Sequence, residues 1–185
     1  DYTHGGVRLN TAYSFDFLNT HDLDKNAVEE FLGGWPGDPD EGWPSCAFSN
    51  HDARRVASRW LHGLEHDHRV RLIALVQMSL RGNIFIYQGE ELGLPQVDVP
   101  FEKLKDPEGI NNWPHTMGRD GARTPMPWTA DGVFAGFSTS EPWLPLGEPH
   151  RAMAVDVQDA DAESVLNFFR HLIAMRFASA ALRVG

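Results

Sequence analysis

At 185 residues, 42% of them hydrophobic and 11% aromatic, the chain is long and apolar enough for one domain with a real core, which excludes disorder of the whole. A formal net charge of −10 argues against nucleic acid and anionic membrane surfaces as partners and leaves neutral substrates open. The single cysteine, Cys46, excludes an internal disulfide and, inside an apolar run, reads as a small buried hydrophobe.

The longest apolar stretch, Leu72 to Leu80, is interrupted by Gln77 and bounded by Arg71 and Arg81. It falls far short of the roughly 20 residues a membrane helix needs. No basic segment followed by an apolar run opens the chain, so a cytoplasmic location without membrane association is expected. Asp1 in place of a methionine reads as a cut or processed start, which leaves export open.

In chain order, residues 1–10 are polar and glycine-containing and read as an arm or loop. Tyr13 to Phe17 alternates aromatic with small or acidic residues and predicts a short strand; Asp24 then caps a helix through Val28, Phe31 and Leu32, closed by Gly33-Gly34-Trp35-Pro36-Gly37. After Trp43, the run Pro44-Ser45-Cys46-Ala47 leads into F-S-N-H-D at Phe48–Asp52, and Ala53 to Trp60 has helical character. That order is strand, polar tip, helix. In alternating β/α architecture such a tip displays catalytic side chains, because the strand fixes the backbone while the loop stays open to ligand. An Asp before a helix is also a common N-cap, so Asp52 by itself supports either reading.

From Asp67 to Arg81 the apolar residues Val70, Ile73, Ala74, Val76 and Leu80 keep helical spacing. Gly82-Asn83 turns this helix into Ile84-Phe85-Ile86-Tyr87, an unbroken apolar run suited to a strand buried on both faces. Residues 91–160 are rich in Pro, Gly and Trp with little periodicity; loops this long are usually binding surfaces or lids. A final helix is expected over about 161–178, striped by Val165, Phe168, Phe169, Leu172, Ile173 and Met175 and capped by Asp161 or Asp159. No internal repeat is present.

One pattern points elsewhere. His62-Gly63-Leu64-Glu65-His66 matches a zinc-protease signature in which both histidines share one helix face. Gly63 weakens that helix, and the polar Asp67-His68 follows, so a solvated loop is the better reading. Glu90, Glu91 and Asp120 read as exposed loop carboxylates or caps. Trp113, Trp128 and Trp143 are suited equally to stacking on sugar rings and to packing the long loop.

Three motifs carry a resemblance. F-S-N-H-D, then Gly89-Glu90-Glu91-Leu92-Gly93-Leu94-Pro95, then Gly118-Arg119-Asp120-Gly121-Ala122-Arg123-Thr124-Pro125-Met126-Pro127-Trp128, preceded by Ala12-Tyr13-Ser14-Phe15-Asp16-Phe17, resemble the α-glucosidase and oligo-1,6-glucosidase branch of the α-amylase family. The resemblance implies an α/β fold: the C-terminal portion, about strands six to eight, of a (β/α)8 TIM barrel, with the long loop after strand eight and residues 1–185 forming one partial catalytic domain. It implies a retaining glycosidase that needs no cofactor and acts on small α-glucosides or oligosaccharides. On the matching positions it assigns transition-state stabilisation to Asp52, sugar-hydroxyl binding to His51, and closure of the non-reducing end of the pocket to Arg119, with Arg123 anchoring the loop. The family's nucleophile and general acid lie in motifs absent here, and no G-F-R-x-D run occurs. No metal site is expected, a calcium site found in parts of the family falling on the half not present. Without its carboxylates the chain is expected to be inactive alone, and to require the missing barrel half or self-association. Some relatives are instead non-catalytic subunits of amino-acid transporters, which tend to lose the sugar-binding motifs.

Overall fold

A computed structural model describes residues 2–3, 7–35 and 42–184. Asp1, part of the expected N-terminal arm, and Pro36-Gly37 of the expected helix stop lie outside the described residues. The core is a β-α-β unit. Strand β1 (Ser45–Ala47) pairs in parallel with β2 (Asn83–Phe85), Ser45 opposite Asn83 and Ala47 opposite Phe85. Between them runs helix α2 (His66–Ser79), since parallel strands require a crossover of a dozen or more residues. Gln77, the polar break in the apolar run, is buried because its Nε2 donates to Phe85 O at 3.1 Å and stitches α2 to β2.

The expected strand over Tyr13–Phe17 is replaced by an extended segment beside β1. Only Thr11 forms a bridge, to Trp43, and from there the Ser45 hydroxyl substitutes for a ladder. It accepts from Ser14 N and donates to Ala12 O, both at 2.7 Å, and Phe17–Asn19 then coil into a 3-10 turn. Helix α1 (Lys25–Gly33) begins as expected, with the Asp24 carboxylate accepting from Ala27 N at 2.8 Å.

The helix expected over Ala53–Trp60 shrinks to a 3-10 turn at Val56–Ser58. Its arginines are drawn into tertiary bonds: Arg59 donates to Phe17 O, Leu18 O and Phe48 O, and Arg55 is buried with Nη1 on Gln88 O. Phe17, Phe31, Phe48 and Trp60 stack around Cys46 as the first core cluster, and burial pushes the Cys46 thiol up to about 12.

The long segment after β2 is not structureless. It contains the short helix α3 (Pro107–Asn112) and several 3-10 turns, packed through Leu92, Leu94 and Met126 and through Val99, Leu104 and Leu144. The single final helix expected from residue 161 is two helices, α4 (Val155–Ala160) and α5 (Val165–Ala178), followed by α6 (Ala180–Val184). Asp161 closes α4, and Ser164 caps α5 because its hydroxyl both accepts from Asn167 N and donates to Gln158 O. Helix α5 packs on α2 through Val165, Phe169 and Leu172, and its Arg176 donates to the carbonyls of Met78, Leu80 and Gly82 at the end of α2. No helix among the described residues is long and apolar enough to cross a membrane.

Candidate active site

Asn50, His51 and Asp52 follow the C-terminal end of β1. The buried Asn50 turns the chain there: its Oδ1 accepts from Asp52 N and Ala53 N, both at 2.8 Å, which throws the next two side chains outward. Asp52 caps nothing. The turn that follows starts after Arg55 and has no side-chain cap, so the capping reading of Asp52 gives way. Instead, Asp52 Oδ1 accepts from Arg119 Nη1 at 3.1 Å and Arg123 Nη2 at 2.9 Å, while Oδ2 lies 3.4 Å from His51 Nε2. Two cations thus grip one oxygen of a carboxylate that is 45% exposed, and its other oxygen lies beside the imidazole.

Residues 118–123 reach this tip from nearly seventy positions away in the chain. Arg123 Nε donates to His51 O at 2.8 Å, so this residue anchors the loop as expected and also reaches the carboxylate. Arg119 divides its guanidinium. Nε and Nη2 form a bidentate pair with Asp106 at 2.9 and 2.7 Å, leaving Nη1 for Asp52. This pairing holds the Asp106 carboxyl well below the usual carboxylate range and raises the Arg119 guanidinium above its ordinary value.

Asp106 is the residue that sequence reasoning missed. Its only local signal is the Asp-Pro-Glu start of a helix, and it does accept from Glu108 N, at 3.3 Å. Asp120, expected at the surface, is fully buried: Oδ2 accepts from Lys105 N at 2.6 Å and Asp106 N at 2.8 Å. Glu90 is likewise 6% exposed, with Oε2 accepting from Tyr87 N, and burial lifts its carboxyl to about 7 against the pull of the Ser49 hydroxyl. Glu91 is partly buried, which raises its carboxyl too. These acids lie inside the scaffold, not on exposed loops.

The zinc-like pattern does not form a helical face. His62 lies in a turn, Glu65 caps α2 through His68 N, and His66 places Nε2 2.9 Å from Gly93 O. Of the tryptophans, Trp113 packs against Phe101 with ring centroids 5.3 Å apart, and Trp128 and Trp143 are exposed.

The family model described as "Alpha amylase, catalytic domain" matches residues 7–185. The chain belongs to the α-amylase family. A "Probable alpha-glucosidase" of Rhizobium meliloti (strain 1021) is 45% identical over 188 residues, covering all of this chain and 34% of its own length. The "Oligo-1,6-glucosidase" of Heyndrickxia coagulans is 33% identical over 172 residues, covering 80% of this chain and 30% of its own length. Among solved structures, the α-glucosyl transfer enzyme XgtA superposes with a TM-score of 0.87 at 45% identity, over 96% of this chain and 33% of that one. The Bacillus licheniformis trehalose-6-phosphate hydrolase TreA superposes equally well, at 0.87, but its 22% identity bears on fold alone. The chain spans about a third of the length of the curated relatives it matches. This family has a (β/α)8 catalytic barrel, and two of its parallel strands lie among the described residues.

Proposed function

We propose that this chain is the C-terminal portion, about strands six to eight, of the catalytic barrel of a retaining α-glucosidase acting at the non-reducing ends of small α-glucosides. The observation that carries this reading is the Asp52 carboxylate: it sits at a strand tip, is spent on no helix, is half exposed, and is fixed through Oδ1 by two arginines while Oδ2 lies beside His51.

Retaining hydrolysis needs a nucleophilic carboxylate and a general acid on opposite sides of the anomeric carbon, and passes through a positively charged, distorted ring. Both groups belong to the rest of the parent enzyme. Asp52 supplies a third carboxylate, whose free oxygen and negative charge hold ring hydroxyls more tightly as the ring flattens and positive charge develops. The ring nitrogens of His51, with Nε2 beside Oδ2, bond the same hydroxyls. Arg119, 40% exposed and anchored from behind, keeps Asp52 aimed and closes the end of the pocket. The small substrate is neutral, in keeping with an acidic chain that needs no electrostatic steering.

Release of p-nitrophenol from p-nitrophenyl α-glucoside tests the reading. The chain alone is expected to be silent, activity appearing on mixing with the parent's N-terminal portion. Asp52→Asn in the complete enzyme is expected to lower turnover roughly a thousandfold with the fold intact, the size of losing several kcal/mol of transition-state binding. Turnover by the chain alone, or a D52N enzyme close to wild type, would sink the proposal. The transporter-subunit alternative requires an upstream membrane span and no nucleophilic Asp, which the parent sequence decides.

A further inference from the structure

We infer that Asp106 is a positioning residue of the glucosidase site: it holds Arg119 so that only one arm of the guanidinium reaches Asp52. The inference rests on the reading of Asp52 given above and adds a residue outside the recognised motifs.

Asp106 is buried beneath Arg119, its side chain fully shielded while the arginine is 40% exposed. Four donors converge on it. Arg119 supplies three of them, through its backbone N at 2.8 Å, Nε at 2.9 Å and Nη2 at 2.7 Å; the helix-capping bond from Glu108 N is the longest, at 3.3 Å. The geometry is therefore built for the arginine, with capping of α3 secondary. Asp106 takes the Nε/Nη2 edge of the planar guanidinium and fixes its plane, and in that orientation Asp52 receives a single bond at 3.1 Å from Nη1.

The backbone beneath is braced to match. The buried Asp120 accepts from the amides of Lys105 and Asp106, so segments 105–106 and 118–120 are tied by both main chain and side chain. Gly118 has φ +63, and a Cβ there would stand 2.8 Å from Gly109 Cα and 2.9 Å from Asp106 Oδ2, so this approach requires glycine. Two carboxylates compete for one guanidinium in this arrangement. Without Asp106, Arg119 is free to turn its full fork onto Asp52, withdrawing the carboxylate that should meet the sugar.

The test is a double-mutant cycle in the complete parent enzyme, with kcat and KM for p-nitrophenyl α-glucoside and thermal melting read together. Asp106→Asn is expected to lower kcat by roughly 30- to 100-fold, in line with the cost of small misplacements of site groups, while KM changes by less than about threefold. In an Arg119→Ala background the same substitution should add almost nothing, because the group it positions is gone. A purely structural Asp106 would instead lower the melting temperature and cost the same activity in both backgrounds; that result, or a D106N enzyme with wild-type kcat, overturns the inference. Should Asp106→Asn fail to fold, Arg119→Lys decides. It keeps the charge near Asp52 but loses the fork, and is expected to fall within a few-fold of Arg119→Ala; retained activity would mean that a point charge suffices. A wild-type parent with no turnover at all would overturn the glucosidase reading itself, and this inference with it.

Discussion

Glu90 is buried, with Oε2 accepting from Tyr87 N. Arg55, close by and buried, spends Nη1 on Gln88 O. The cost of burying this charge lifts the carboxyl from 4.5 to about 7 in the folded chain. A carboxyl raised on folding contributes stability that is fully present below the unfolded value and is lost as pH rises through the folded one. From pH 5 to 8 the chain should therefore lose about 2–3 kcal/mol through this group. Glu90→Gln should remove that slope, which urea denaturation at the two pH values will read; identical slopes in the two proteins would refute the assignment. The same physics limits what a sequence discloses about acids. Asp52, His51 and Arg119 were legible through their motifs, and the structure brings His51 and Arg119 each against the Asp52 carboxylate. Asp106 and Asp120 were not, because, apart from the Glu108 amide that Asp106 caps, their donors are backbone amides and a guanidinium 13–15 positions away, invisible in local pattern.

Gly82 joins α2 to β2 at a point that admits no side chain. Its φ is +126, and a Cβ would come 2.5 Å from Pro44 O, the carbonyl that accepts from Asn83 N at 2.8 Å and starts the pairing of β1 with β2. Gly82→Ala must either break that bond or push the strands apart, and should cost about 3 kcal/mol or more. Gly33, at the end of α1 with nothing within 4 Å of its Cβ position, serves as control: Gly33→Ala should be neutral or slightly stabilising. Urea midpoints of the two variants check this, and equal losses would contradict it. The Gly82-Asn83 turn was readable because glycine punctuates a clear switch from helical to continuous apolar pattern, and α1 was readable from its Asp24 cap. The segment over Ala53–Trp60 misled because helical propensity was outweighed there by Arg55 and Arg59, whose side chains bond carbonyls up to 42 positions distant. The division between α4 and α5 depends on Ser164, whose hydroxyl serves two backbone groups at once; periodicity alone does not register that.

The chain as a whole leaves an aromatic surface uncovered. Tyr13 stacks edge-on against both Phe15 and Phe85, at 5.3 and 5.4 Å, yet the three are 40%, 57% and 43% exposed, with Ile86 next to Phe85 at 36%. Apolar groups clustered in this way belong against other chain. The two-stranded sheet beside them is smaller than is usual for independent stability, and the chain spans only about a third of its relatives' length. Its net charge of −10 opposes association at low salt, but at physiological ionic strength repulsion between charges more than about 8 Å apart is largely screened. In such salt the isolated chain should therefore run above its 20.7 kDa mass by light scattering and enhance the fluorescence of a hydrophobic dye. Phe15→Lys with Phe85→Lys should lower both signals, and adding the parent's N-terminal portion should lower them while turnover appears. A dye-silent monomer would show that this face is satisfied within the chain. A persistent oligomer that binds dye as strongly after the double substitution would place the sticky surface elsewhere, the outer helices with their exposed Leu32, Leu72 and Leu75 being next to test.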